Sequence, residues 1–360
     1  MNTAKISSYN RLIAFFLIAI ALLSVLVISA NGWQIEDSPF WEEDSKNEEG
    51  NENTEKLPET EVPEDPPEPE PPKFYHHITG VEITEEEFGD SQVAYVIDGN
   101  SPLCGIANCN VLIEFPIENG KTRYIMINDK GTDLTKIGSI TNSRYFMSNL
   151  AVTFGASVIS LGNDDTIDYQ HIDTGIYNID LPKNQGSYYT EYTYFAYTST
   201  KLINPLLQVT PQKPYALPYL FKEDTDARGN ISASTMTIPY DTLTTLIYSK
   251  EKNGYCLCKM GSDRIDVSTS ESAIFNNVFI LFADSMTYES SDKTEMVMST
   301  IGTGTGYYAY NGMAEKITWS MDLNGNLTFL NEAGEKLEVG RGNSYIAYVK
   351  SSKSNSKIFS

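Results

Sequence analysis

The sequence predicts an α+β fold: a mixed α/β ectodomain followed by a β-rich antiparallel domain, behind a single N-terminal transmembrane helix. Three observations predict it. An uncharged apolar run stands near the N-terminus. Strand-like runs and one helical period then alternate up to about residue 205. From about Ile231 onward the chain is nearly all strand and turn. With 360 residues it is long enough for two domains and flanking segments.

The segments follow in order. Residues 1–11 form a cytoplasmic tail carrying Lys5 and Arg11. Residues 12–30 read LIAFFLIAIALLSVLVISA, with no charge. As a helix this run spans roughly 28 Å, close to the hydrocarbon thickness of a bilayer. Basic residues precede it and Glu36 and Asp37 follow, so the N-terminus is expected inside and the remainder outside. The alternative is a cleaved signal peptide ending near Ala30, which also exports the rest. Residues 31–78 form an acidic, proline-rich linker. Between 34 and 73 fifteen acids face three lysines, and eight of the sixteen prolines fall there. Self-repulsion and polyproline stiffness predict an extended, disordered spacer.

The α/β ectodomain is placed at 79–205. Residues 92–97 (QVAYVI), 110–115 (NVLIEF) and 122–127 (TRYIMI) are expected strands, with ENG at 118–120 as a hairpin turn. Phe146, Leu150 and Phe154 recur every four residues, which predicts a helix over 143–154. Residues 156–161 (ASVISL) read as a buried strand. Residues 206–230 hold Pro211, Pro214 and Pro218 and are taken as a connection. The β-rich domain covers 231–350, where GYCLC, NNVFILF, GYYAY, KITWSM and NSYIAYV are separated by turns such as Asn311-Gly312 and Asn324-Gly325. Half-buried sheet faces account for much of the excess of 23 tyrosines. Residues 351–360 are expected as a tail.

The runs QVAYVIDGN, CGIANCNVLIEFPIENGKTRYIMI and IGSITNSRYFMSNLA, followed by SLGN, resemble the YerB-like lipoprotein family in order and spacing. So does GTGTGYYAYNG…ITW…GEKLEVGRGNSYIAYV in the second half. The resemblance covers most of 80–350, and it implies a bacterial envelope protein built of the N- and C-terminal domains of unknown function 3048. Two departures stand out. Thr141 replaces the first of the family's paired arginines, leaving Arg144, and residues 194–199 (YFAYTS) lack its His-Asn pair. The membrane helix stands in place of the usual lipid-anchoring cysteine.

The charged positions that match the family pattern are Glu114, Glu118, Arg123 and Arg144, and these are the candidate binding residues. Glu114 lies within an expected strand and Arg123 just past the ENG turn, so the two could meet across the hairpin. A pair of carboxylates could also do acid–base work, and a structural ion pair is the plainer reading. Arg144 opens the expected helix, where the dipole favours an anion. Its presence calls for an acidic partner, Glu114 or Glu118, or for an anionic ligand.

Other motifs carry less. Cys104 and Cys109 could form a disulfide outside the cell, whereas Cys256 and Cys258 alternate across a strand and point to opposite faces. Gly302–Gly306 (GTGTG) lacks the Lys-Ser/Thr of a phosphate loop and reads as a turn or bulge. Asp322, Asn324 and Asn326 mimic the start of a calcium loop, but position twelve is Ala333. His76, His77 and His171 show no partner spacing. No metal or cofactor is expected.

Forty-eight acids against 26 basic residues give a net charge of −22, which excludes general nucleic-acid binding. The expected function is that of a membrane-anchored extracytoplasmic binding or scaffolding protein that contacts cell-wall polymer or an envelope protein. The rival is a wall-polymer hydrolase using Glu114 and Glu118.

Overall fold

The alternating apolar runs of both sequence halves pair into shared sheet structure in the computed structural model, which describes residues 72–87, 91–162, 178–207, 216–222, 229–289 and 294–360. The transmembrane and linker expectations for 12–30 and most of 31–78 lie outside these residues. Among the described residues no helix is long and apolar enough to cross a membrane.

The chain is strand-rich, and most strand pairs are antiparallel. Among the described residues its main sheet has 14 strands. Across its middle the order is Met313–Met321, Gly302–Tyr310, Asn277–Ala283, Ser344–Lys350, Val111–Pro116, Thr122–Asp129, Gln92–Asp98 and Ile137–Ile140. Strands of the two ranges expected as separate domains are therefore neighbours. Ser344–Lys350 runs parallel to Val111–Pro116 on one side and to Asn277–Ala283 on the other. Within 69–360 the described residues cluster as one compact unit.

Period-two alternation gives the sheet two apolar faces. On one, Leu112, Tyr124, Met126 and Tyr345 pack with Met236, Leu246, Leu257 and Phe275. The latter come from a second, five-stranded sheet that includes Thr235–Ile238, Thr244–Ser249 and Gly254–Lys259. On the other face, Ile113, Phe115, Ile125 and Tyr348 pack against Phe146 and Leu150. These two residues belong to the helix Tyr145–Thr153, shorter at both ends than the expected 143–154.

Segments expected as connections and tails also join the fold. Phe74–Tyr75 pairs with Glu82–Ile83, and Ile78 is buried, so the fold begins before the expected boundary at 79. Leu220–Phe221 pairs with Glu338–Val339. In the expected C-terminal tail Ile358 is buried, its carbonyl accepts from Thr237 N at 2.8 Å, and Phe359 bridges Met236.

The GTGTG run is one continuous strand, not a turn or bulge. Gly304 stands opposite Trp319, whose Nε1 donates to Phe282 O at 3.1 Å. A Cβ on Gly304 would run into both that carbonyl oxygen and the indole. Gly304→Val should therefore lower stability by about 1–3 kcal/mol through overpacking. Denaturant unfolding followed by Trp fluorescence checks this, and an unchanged midpoint would refute the account.

Candidate functional site

The four expected residues do not form one site. Glu114 is fully buried on Val111–Pro116, opposite Tyr124 in register. Arg123 stands opposite Phe115, one residue out of phase with Glu114, so the two side chains lie on opposite faces of the sheet. The expected Glu114–Arg123 contact across the hairpin is therefore not made.

The partner of Glu114 is Lys259, at the end of Gly254–Lys259 in the second sheet. Its Nζ lies 3.2 Å from Glu114 Oε1 and also donates to Thr122 Oγ1 at 2.6 Å and to Gly99 O at 3.1 Å. The Tyr345 hydroxyl donates a short hydrogen bond to Glu114 Oε2, and Tyr240 OH donates to Glu114 O at 3.1 Å. Arg264 Nη2 reaches Gly99 O at 3.0 Å. Burial, reinforced by the Glu114 charge, pushes the Tyr345, Tyr124 and Tyr240 phenols well above their ordinary range. Each phenol therefore stays protonated. The cluster is a charge pair closed off by hydroxyls, between two sheets.

Of the two carboxylates open to Arg144, Glu118 takes it. Arg144 Nη2 lies 2.8 Å from Glu118 Oε1 and Nη1 lies 3.1 Å from Oε2, a bidentate pair. Arg144 is 3% exposed. Its Nη1 also donates to Met296 O at 3.3 Å, and Met296 N donates to Glu118 Oε2 at 3.3 Å. The pair thereby fastens the Ser285–Glu289/Thr294–Met298 hairpin to the main sheet. Burial opposes ionisation of Glu118, but the Arg144 hydrogen bonds outweigh it and hold the carboxyl below its usual range.

A third cluster escaped sequence reading. His76 Nε2 lies 2.8 Å from Asp129 Oδ1. Thr79 N donates to His76 Nδ1 at 3.1 Å, which leaves Nε2–H to donate to the carboxylate. Asp129 also accepts from Gln92 Nε2 and, at 3.1 Å, from Asn110 Nδ2. Burial would raise the Asp129 carboxyl, yet the His76 and Gln92 hydrogen bonds bring it below its ordinary value. The set resembles a Thr-His-Asp relay, with Thr79 Oγ1 3.0 Å from Nδ1, but Nδ1 is shared with the Thr79 backbone N–H, which weakens it as a base towards that hydroxyl. It anchors residues 74–83 to the main sheet. Fifty-three residues separate His76 from Asp129, so no local spacing signals it.

The four cysteines are free and buried. Burial pushes the thiols of Cys104 and Cys258 up to about 11, which leaves no thiolate nucleophile there at neutral pH. Asp322 accepts from Asn324 N at 2.8 Å and Asn326 N at 2.9 Å, a turn closed by its own backbone as the Asn-Gly reading expects. Among the described residues no three His, Cys, Asp or Glu side chains converge to hold a metal ion.

Two outcomes follow from this geometry. Lys259→Met leaves Glu114 buried without its cation and should cost about 3–5 kcal/mol, whereas Glu114→Leu/Lys259→Met should cost less than the single change. A double-mutant cycle in urea measures this, and additive losses would refute the pairing. Asp129 and Glu118 titrate lower in the folded than in the unfolded chain. Their stabilisation is therefore complete above about pH 5 and fades as pH falls through the unfolded and then the folded values. The unfolding midpoint should drop below that pH, and less steeply in Asp129→Asn. Parallel profiles would contradict the assignment to Asp129.

Comparison with known proteins supports the resemblance. Residues 236–346 match the family described as "Protein of unknown function (DUF3048) C-terminal domain". No curated protein matches the chain. The crystal structure of YerB from Bacillus subtilis superposes with a TM-score of 0.66 at 17% identity, covering 77% of this chain and 97% of that one. At that identity the likeness is one of fold. The chain carries a DUF3048 C-terminal domain over 236–346 and is YerB-like in its fold.

Proposed function

We propose that this chain is an extracytoplasmic binding or scaffolding protein of the cell envelope. In this reading residues 12–30 anchor it in the membrane with the N-terminus inside. The linker that follows, up to the first strand at Phe74–Tyr75, spaces the folded part from the lipid, and that part contacts cell-wall polymer or an envelope protein. Its α+β character rests on the helix Tyr145–Thr153 and on the parallel pairing of Gln92–Asp98 with Ala156–Ser160.

One observation carries the choice of binding over hydrolysis: both candidate carboxylates are committed to cations. Glu114 is held by Lys259 and the Tyr345 hydroxyl, and Glu118 by Arg144. A glycosidase needs one carboxyl with a raised pKa facing a second across the scissile bond. Here Glu118 is shifted downward and Glu114 is sealed between two sheets.

The test incubates the full chain in mild detergent with purified wall sacculi and, separately, with envelope membrane extract. Retention on one of them without release of soluble sugar is the expected outcome. Release of reducing ends would establish the hydrolase instead, and no retention on either would overturn the binding reading. Protease added to wall-stripped cells should remove the folded part, and its protection would overturn the topology.

A further inference from the structure

The GTGTG strand has a second face. Thr305 stands opposite Thr318 and Tyr307 opposite Lys316, so these four side chains share the side of the sheet away from Gly304, Gly306 and Trp319. That side opens into a cavity of about 590 Å³. Its volume lies within the ~300–1,000 Å³ typical of small-molecule sites. Phe282 and Tyr307 form its apolar wall, and Thr305, Lys316 and Thr318 lie along its sheet floor. Glu332 borders it from the turn after Leu327–Leu330, and Asn355 borders it from the C-terminal segment.

We infer that this cavity binds a neutral oligosaccharide; the assignment rests on the wall-binding reading above and gives it a site. Three features favour a sugar. The first is the polar lining, which is rich in groups that both donate and accept: hydroxyls of Thr305 and Thr318 and the amide of Asn355. This suits a ligand whose own hydroxyls do the same. The second is the aromatic wall. The Tyr307 ring is fixed by edge-to-face contacts with Phe282, centroids 6.1 Å apart, and with Phe359, 4.9 Å apart. A ring held this way offers contact to the C–H face of a sugar at little entropic cost. The third is charge. One lysine and one glutamate leave the cavity without net charge, on a chain of net −22. Polyanionic polymers are repelled by that field, whereas a neutral glycan is indifferent to it.

The local sequence serves both sides of the strand. Glycines at 304 and 306 face inward, where the Gly304 position makes room for Trp319, and the alternate residues Thr305 and Tyr307 face the cavity.

Isothermal titration of the full chain in mild detergent with N-acetylglucosamine dimer, trimer and tetramer tests the inference. Polyglycerol phosphate and an uncharged tetrapeptide serve as comparison ligands. Saturable binding of an oligosaccharide is expected, at least tenfold weaker in Thr318→Arg, which fills the cavity from an exposed position, and in Tyr307→Ala. Thr318→Arg should melt like the parent chain, so its loss of binding would not reflect unfolding. The inference is overturned if no oligosaccharide binds, if only the polyanion or the peptide binds, or if Thr318→Arg binds as the parent does. Sacculus retention that survives in Thr318→Arg would likewise remove the cavity while leaving the wall-binding reading intact. Absence of sacculus retention in the parent, with oligosaccharide binding kept, would remove that reading and leave the cavity.

Discussion

The fold depends on the placement of the strand Ser344–Lys350. It lies inside the main sheet, parallel to Val111–Pro116 on one edge and to Asn277–Ala283 on the other. Parallel neighbours cannot be joined by a hairpin, so each pairing closes a long loop of chain. That single strand makes one sheet out of two sequence halves that would otherwise stand apart. Its alternation feeds both cores. Tyr345 and Val349 join the face covered by the second sheet, while Ile346 and Tyr348 join the face covered by the helix. Tyr348 stacks on Phe115 with ring centroids 4.9 Å apart, and Tyr345 closes the Glu114 pair.

Around that strand two buried ion pairs and one part-buried hydrogen bond act as fasteners. Glu114–Lys259 joins the main sheet to the second sheet, Glu118–Arg144 holds the 285–298 hairpin, and His76–Asp129 holds the segment from 74 to 83. Each joins elements far apart in sequence, and each is supplied with extra hydrogen bonds. Desolvated ion pairs contribute little net stability compared with apolar packing, but removing one partner is costly. They therefore specify which surfaces meet. The same engagement removes these groups from chemistry, because a carboxylate held by a cation at hydrogen-bonding distance is a poor general acid. Recognition, in the proposed function, falls instead to neutral polar groups on the open side of the Gly302–Tyr310 strand.

How much could be read in advance differs between elements and sites. Strand runs were legible because period-two alternation of β-branched and aromatic residues is local. The expected 92–97, 110–115 and 122–127 fall within a residue or two of Gln92–Asp98, Val111–Pro116 and Thr122–Asp129. The ENG turn was legible too, with Asn119 at φ 60°. The helix is legible in its four-residue spacing but is shorter than that spacing suggests, since Ser143 and Arg144 precede its first turn and a turn follows Thr153. The Arg144–Glu118 pair could be foreseen because a cation at a helix start needs an anion. Glu114–Arg123 failed by one residue of register, which turns a side chain through the sheet.

The sequence by itself determined the strands, the tight turns, the acidic charge and the family likeness, since each is written in neighbouring residues. Tertiary structure alone decided that two strand-rich stretches share a sheet. It also chose Lys259 for Glu114 and Asp129 for His76, and made a strand of GTGTG with a tryptophan on one side and a cavity on the other. The physical reason is the same in each case. Local propensity fixes which residues can lie along a strand, whereas desolvated charges and close-packed rings are satisfied only by partners that long-range pairing brings into contact.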